Sequence, residues 1–294
     1  MSLPRLLDVL DTMTARRIAA EGSFILCVDD GSPDSTWQAI LKAHDEDSRV
    51  QGLALARNAG HQYALLAGLM DVRERCDAAV SIDADLQDDP DAIIEMVNAF
   101  RAGSEIVYGV RRSRSTDTWF KRNSAHAFYR LQESMGLQSV YDHADYRLMS
   151  RRALEVLASF REQNLFLRGI IPLIGLNTAT VYYDRNERVA GESKYPLKKM
   201  LAFSIDGITS FSAKPLRWIF LTGLGLLIAD VAVALYVFCS LLRGDTMSGW
   251  SSIMLSVWFL GSLLLMAVGV VGEYIGKIFT EVKGRPRFIV REHT

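Results

Sequence analysis

The chain has almost no net charge: 33 lysines and arginines stand against 34 aspartates and glutamates, leaving −1 over 294 residues. Without a basic surplus nothing favours gripping a polyanion, which argues against a nucleic-acid binder. Cysteine is scarce too. Cys27, Cys76 and Cys239 are odd in number and scattered along the chain, so they build no disulfide framework. They read as small core residues of a reduced compartment. The N-terminal segment lacks the uncharged apolar run of a secretory signal; Met1 to Ala20 carries charges throughout on an amphipathic period and reads as a helix. No internal repeat and no low-complexity linker interrupts the sequence.

What is present is an alternation. Helix is expected over Leu3 to Ala20, Asp34 to Asp45, Ala59 to Arg73 and Asp91 to Ala102. Strand is expected over Phe24 to Val28, Gly52 to Ala56, Ala78 to Ile82, Glu105 to Tyr108 and Thr178 to Tyr183. Such turn-taking predicts an α/β fold, a mostly parallel sheet covered by helices. Basic residues Arg111, Arg112, Arg114, Lys121 and Arg122 follow the fourth strand, ahead of a helix through Met135. The loop after Tyr183 holds Arg185, Arg188, Gly191, Glu192, Ser193 and Lys194.

Two runs are too apolar for a soluble domain. Trp218 to Leu242 has the single charge Asp230, and Ile253 to Gly272 has none; either can cross a hydrocarbon core of about 30 Å. Lys198, Lys199, Lys214 and Arg217 precede the first run, and Lys277, Lys283, Arg285, Arg287 and Arg291 follow the second. That bias predicts a two-helix transmembrane hairpin in the cytoplasmic (inner) membrane, with both flanks and the soluble head in the cytosol. Asp230 reads as a protonated or helix-paired acid supporting assembly, and the Gly272/Gly276 spacing is a weak packing signal. Pro196 to Ser212 is amphipathic and should lie along the interface, among membrane lipids. The implied domains are a head over 1–195, an interfacial segment over 196–214, two spans over 215–280 and a cytoplasmic tail over 281–294. Paired spans leave room for a homo-oligomer.

Acids gather at strand ends. Asp83-Ala84-Asp85-Leu86-Gln87 follows the run Ala78 to Ile82. Residues i and i+2 leave a strand on one face, and open α/β sheets put ligands beyond the carboxyl ends of their strands. The hard oxygens of Asp83 and Asp85 suit Mg²⁺ or Mn²⁺ held against a diphosphate, although Asp-x-Asp also arises in solvated loops and helix caps. Asp29 and Asp30 close the first strand and face Gly31-Ser32-Pro33, read as a tight turn with Ser32 at the N-cap and Pro33 at the first helical position. Acids so placed can meet a ribose or a base edge. Arg57 reads either as a ligand contact or as a surface ion pair. His61 reads as a packed or capping histidine, and Ala64 and Gly68 as small for close packing.

Taken together, an ordered set of segments carries a resemblance. It comprises Val28-Asp29-Asp30-Gly31-Ser32, Arg57-Asn58-Ala59-Gly60-His61, Asp83-Ala84-Asp85-Leu86-Gln87-Asp88-Asp89-Pro90 and Gly109-Val110-Arg111. It continues with Asp145-Tyr146-Arg147-Leu148-Met149-Ser150, Leu167-Arg168-Gly169 and Ala190-Gly191-Glu192-Ser193-Lys194-Tyr195, before the two apolar runs. The chain resembles glycosyltransferase family 2 enzymes of the polyprenyl-phosphate hexose synthase type, the bactoprenol glucosyltransferase and dolichol-phosphate mannose synthase group.

The resemblance implies a GT-A-like domain. It also implies inverting transfer of a hexose, glucose foremost, from a nucleotide-sugar donor to a polyprenyl (undecaprenyl) phosphate for cell-envelope glycan modification. It puts Asp29, Asp30, Arg57 and Asp83 at the nucleotide, Asp83, Asp85 and Gln87 at the metal and diphosphate, and Asp85 and Asp145 at the reaction. Asp145 would be a base or an orienting group beside the acceptor. A phosphate monoester is already an anion near pH 7, its second pKa being about 6, so it needs little help from a base and orientation is the better reading. A helix-capping or Arg147-paired carboxylate stays open. Bringing two anions together demands fixed cations, for which Arg111, Arg114, Arg168, Arg185, Arg188 and Lys194 are candidates. The basic run after Gly109 can equally meet anionic lipid.

Relatives of this type begin with one more strand and a Pro-x-Tyr-Asn-Glu-like turn, interior to the sheet between the strands ending at Asp29 and Asp83. The expectation is therefore that Met1 is internal to a longer product or that the chain is an inactive copy. The competing function is a noncatalytic membrane scaffold. A processive polysaccharide synthase would carry Gln-x-x-Arg-Trp, whereas Arg217-Trp218 here follows Lys214 at a membrane entry.

Overall fold

The computed structural model describes residues 3–85, 87–112, 143–163, 165–184, 214–243 and 249–294. Leu86, Arg114, Lys121, Arg122, the expected helix through Met135, Arg185, Arg188, Lys194 and the interfacial segment Pro196 to Ser212 lie outside them. The chain forms two compact units: 1–133, 138–194 and 284–294 make the head, and 134–137 with 195–283 make the second.

In the head, helix α1 (Leu3–Ala15) buries Val9, Leu10 and Met13. It ends earlier than its amphipathic period predicts, because Arg17 turns left-handed (φ 57°). The Ile18 amide then reaches Met13 O at 2.8 Å, and the Arg17 amide reaches Thr14 O at 2.9 Å, a Schellman close. Strand β1 (Ile25–Asp29) runs parallel to β2 (Val50–Leu55), with Ile25 opposite Val50 and Asp29 opposite Ala54. Helix α2 (Thr36–Glu46) joins them. Its N-cap is Ser35, with Asp34 accepting from the Thr36 amide and hydroxyl, so Ser32 and Pro33 belong to the turn before it rather than to its cap.

Helix α3 (His61–Val72) packs against β1, and the smallness expected at Ala64 and Gly68 has that use. Ala64 sits in the core with Leu53 and Leu55, and a Cβ on Gly68 would stand 2.7 Å from Val28 Cγ2. Strand β3 (Ala78–Ser81), helix α4 (Ala92–Arg101) and strand β4 (Ile106–Arg111) follow.

The expected mostly parallel sheet is corrected here. Strand β5 (His143–Ser150) lies antiparallel between β3 and β4, and β6 (Thr178–Tyr183) runs parallel to β4, giving the order β3-β5-β4-β6. No strand was expected over β5 because it is buried along most of its length, Asp145 to Ser150, and shows no alternation to read. Helices α5 (Arg151–Ser159, capped by the Ser150 hydroxyl) and α6 (Leu167–Leu173) connect β5 to β6. A core of Val9, Leu10, Met13, Ile93, Met96, Val107, Tyr146, Leu148 and Val181 joins α1 and α4 to this sheet.

Strands β1 and β3 belong to different sheets. Each keeps one edge without a ladder partner among the described residues. Helix α3 lies against both strands.

The second unit holds helices α7 (Lys214–Leu242) and α8 (Trp250–Lys283). Among the described residues, Phe259–Lys283 is long and apolar enough to cross a membrane, with mean hydropathy 1.8 and nothing buried, while Leu216–Leu226 is a shorter apolar stretch. Beyond α8 the chain returns to the head. Strand β7 (Val290–His293) pairs antiparallel with β2, Phe288 packs near Leu53 and Leu55, and the Arg287 guanidinium donates to Phe160 O at 3.1 Å. A short charged strand on a sheet edge carries no apolar period, which is why these residues read as a tail.

Candidate active site

The loops leaving β1, β2 and β3 at their carboxyl ends carry most of the acids singled out above. Asp29 is buried; its Oδ1 accepts the Ser32 amide at 3.1 Å, while Oδ2 has no hydrogen-bond partner among the described residues. A buried unpaired carboxylate oxygen is costly, and a ligand hydroxyl or ring N–H would relieve it. Asp30 turns the other way. Its two oxygens take the amides of Ala59 at 2.7 Å and Gly60 at 2.9 Å, fixing the start of α3.

The turn between these acids and Arg57 is tightly made. Gly31 has φ +63°, and a Cβ there would lie 2.5 Å from the Arg57 carbonyl carbon and 2.7 Å from the Asn58 nitrogen. Backbone cannot yield as a side-chain tip can. Gly31→Ala is therefore expected to lower stability by about 2 kcal/mol or more, combining left-handed strain with the collision. Thermal unfolding and nucleotide affinity of the purified variant check it; both should fall together. Arg57 itself is exposed.

Asp83 and Asp85 lie past the end of β3, Asp83 half-buried and Asp85 exposed, so strand alternation does not set their direction. Asp85 Oδ1 accepts the Gln87 amide at 3.2 Å, and Gln87 is buried. Burial pushes the Asp83 carboxyl above its usual range, His61 opposes the shift, and Asp145, Asp88 and Asp85 reinforce it. Among the described residues no group of three or more His, Cys, Asp or Glu side chains converges as a metal cage. Two hard carboxylates nevertheless fit Mg²⁺ or Mn²⁺ in chemical type, since these ions commonly rely on one or two carboxylates plus phosphate oxygens.

Asp145, on β5, is the centre of charge. Arg147 Nη2 lies 2.5 Å from its Oδ1, Arg168 sets Nε 3.2 Å from Oδ1 and Nη2 3.1 Å from Oδ2, and His61 Nε2 is 3.2 Å from Oδ2. Burial alone would raise this carboxyl. The hydrogen bonds from His61 and Arg168 and the charges of Arg168 and Arg147 outweigh it and hold the group well below the carboxylate range. So engaged, Asp145 is a poor base and a firm holder of Arg168. His61 also stands 3.9 Å from Asp83 Oδ1, linking the acid loop to Asp145, and the Asp145 hydrogen bond raises its pKa.

Arg111 is drawn elsewhere, to Asp88 Oδ1 (3.1 Å from Nη2), which also accepts from the Tyr183 hydroxyl at 2.7 Å. Asp88 is 2 % exposed, so this pairing anchors the loop after Gln87 to the ends of β4 and β6. The Arg147 pairing of Asp145, one of the readings the sequence leaves open, is present. Asp88 and Tyr183 are not singled out by the sequence reading: Asp88 sits inside a quoted motif, but nothing local signals that its partners lie 23 and 95 residues away.

Residues 4–158 match the family described as glycosyl transferase family 2. The chain belongs to glycosyltransferase family 2. It is 51% identical over 286 residues to the uncharacterized glycosyltransferase YkoT of Bacillus subtilis (strain 168), covering 97% of this chain and 85% of that one. It is 38% identical over 273 residues to the SfII prophage-derived bactoprenol glucosyl transferase of Shigella flexneri, covering 91% and 87%. A prophage bactoprenol glucosyl transferase homolog of Escherichia coli (strain K12) is 37% identical over 272 residues, covering 91% and 88%. The family 2 match runs from α1 to α5 and so includes Asp29, Asp83, Asp85 and Asp145, while Arg168 lies beyond it. The chain is therefore a glycosyltransferase.

Proposed function

We propose that this family 2 glycosyltransferase moves glucose from a nucleotide diphosphate sugar to a polyprenyl phosphate, with inversion, at the cytosolic face of the inner membrane. The observation that carries the reading is the engagement of Asp145 by His61, Arg147 and Arg168. A carboxylate so committed does not take a proton from an alcohol, and a phosphate acceptor brings none that must be removed. The names of the relatives and the apolar helix Phe259–Lys283 support a lipid-borne acceptor. With α7 as a second span, the positive flanks keep the head cytosolic.

In this reading Asp29 offers its unpaired oxygen to the nucleoside, and Asp83, Asp85 and Gln87 would hold Mg²⁺ or Mn²⁺. That ion supplies neutralisation of the departing diphosphate. Arg168, held by Asp145, steadies the acceptor phosphate. A phosphate oxygen forms the new bond to the anomeric carbon, and the nucleoside diphosphate leaves with the old bonding pair. Arg114, Arg185, Arg188 and Lys194 are further candidates for the acceptor phosphate.

Purified full-length protein given a mixture of nucleotide sugars and undecaprenyl phosphate should yield a hexosyl phospholipid of inverted anomeric configuration, read by mass spectrometry and NMR. Hexose appearing only on a non-phosphorylated acceptor would refute the proposal.

A further inference from the structure

Three consecutive side chains at the start of α3 reach across the head to one region. His61 donates to Asp145, Gln62 Oε1 accepts the Leu167 amide at 3.0 Å, and the Tyr63 hydroxyl donates to Gln163 O. Successive helix positions diverge by about 100°, so neighbours ordinarily face different surroundings. Here all three converge on β5 and on the segment running into α6. Leu167 and Arg168 are adjacent, and Leu167 is 1% exposed, so the Gln62 bond fixes the backbone from which the Arg168 side chain springs. α3 itself is seated by Asp30 on the Ala59 and Gly60 amides.

We infer that Gln62 and Tyr63 are positioning residues: with His61 they form a clamp that sets Arg168 against Asp145, and so fixes where the acceptor phosphate is held. The inference rests on the reading of Arg168 given above. It links the nucleotide side of the site, through Asp30 and α3, to the acceptor side. Neither Gln62 nor Tyr63 need touch substrate. Their influence passes through the Gln163 carbonyl and the Leu167 amide.

Gln62→Met removes the acceptor oxygen at similar length, and Gln62→Glu retains one. Leaving the buried Leu167 amide unbonded is expected to raise KM for polyprenyl phosphate about tenfold, with KM for the nucleotide sugar unchanged. Gln62→Glu restores the acceptor KM, and Tyr63→Phe shifts it in the same direction as Gln62→Met. The double variant Gln62→Met with Arg168→Gln should be no worse than Arg168→Gln alone, since both act through one side chain. Hydrogen exchange supplies a readout independent of turnover: the Leu167 amide loses protection in Gln62→Met and keeps it in Gln62→Glu. Retained protection in Gln62→Met, additive kinetic effects, or equal rises in both KM values overturn the clamp. An unchanged acceptor KM in Arg168→Gln overturns instead the reading of Arg168 on which the clamp's purpose rests.

Discussion

Replacing Asp145 by asparagine should destabilise the head by about 3–5 kcal/mol, because it leaves the buried Arg147 guanidinium without the carboxylate that compensates its charge. Arg147 is 1% exposed. Such a loss is expected to lower the thermal midpoint by roughly 10 °C for a domain of this size. Its pH dependence has a defined sign. The Asp145 carboxyl is held below its ordinary value, so its contribution is complete above that value, about 3.9, and fades as pH falls through the folded value. The gap between wild type and Asp145→Asn should therefore be widest between the ordinary carboxyl value and that of His61, shrinking in strong acid and again as pH rises through the raised His61 value, because the Asp145 hydrogen bond favours the folded state only while His61 is protonated. Thermal unfolding from about pH 2 to 9 checks this. The same variant frees Arg168, so transfer should fall even at temperatures where it remains folded. Replacing Arg147 and Asp145 together by apolar residues of similar size should recover much of the stability and none of the transfer.

Asp85→Ala is expected to lower transfer by roughly 100-fold or more, the scale of removing one electrostatic stabiliser from a preorganised site. Asp85 is exposed and its Oδ1 accepts the Gln87 amide within its own turn, so the fold should survive the change with nearly the wild-type midpoint. Binding separates this from a general defect. Mn²⁺ affinity in the presence of nucleoside diphosphate, read by electron paramagnetic resonance, should weaken in Asp83→Asn and Asp85→Ala while nucleoside affinity without metal persists through Asp29. Equal Mn²⁺ binding by wild type and Asp85→Ala would remove the acid loop from the metal site.

Much of this was legible in the residues themselves, and the rest follows a consistent rule. Local signals located β1, β2 and β6 and α2 to α4 within a few residues, and both C-terminal helices, although α8 runs on from Gly272 to Lys283, because apolar period and acid-tipped strands are properties of adjacent positions. The segments Asp83 to Pro90 and Asp145 to Ser150 are among those that carry the family resemblance. What escaped were features made by distant chain. Strand β5 lies between two strands and is covered on both faces, so it shows no alternation, and β7 becomes a strand because β2 offers it an edge. Arg111 looked like a free cation for phosphate until Asp88 and Tyr183 were seen beside it. His61 looked like a capping residue; its role depends on Asp145, 84 residues away. Nothing in a run of neighbours encodes that distance.

The most direct test is incorporation of radiolabelled glucose from its uridine and guanosine diphosphate donors into undecaprenyl phosphate by the purified full chain, with and without chelator. The account predicts label in the lipid phase, its loss on adding EDTA, its return on adding excess Mn²⁺ or Mg²⁺, and no return in Asp85→Ala. Lipid-linked glucose formed at an undiminished rate in EDTA would contradict it.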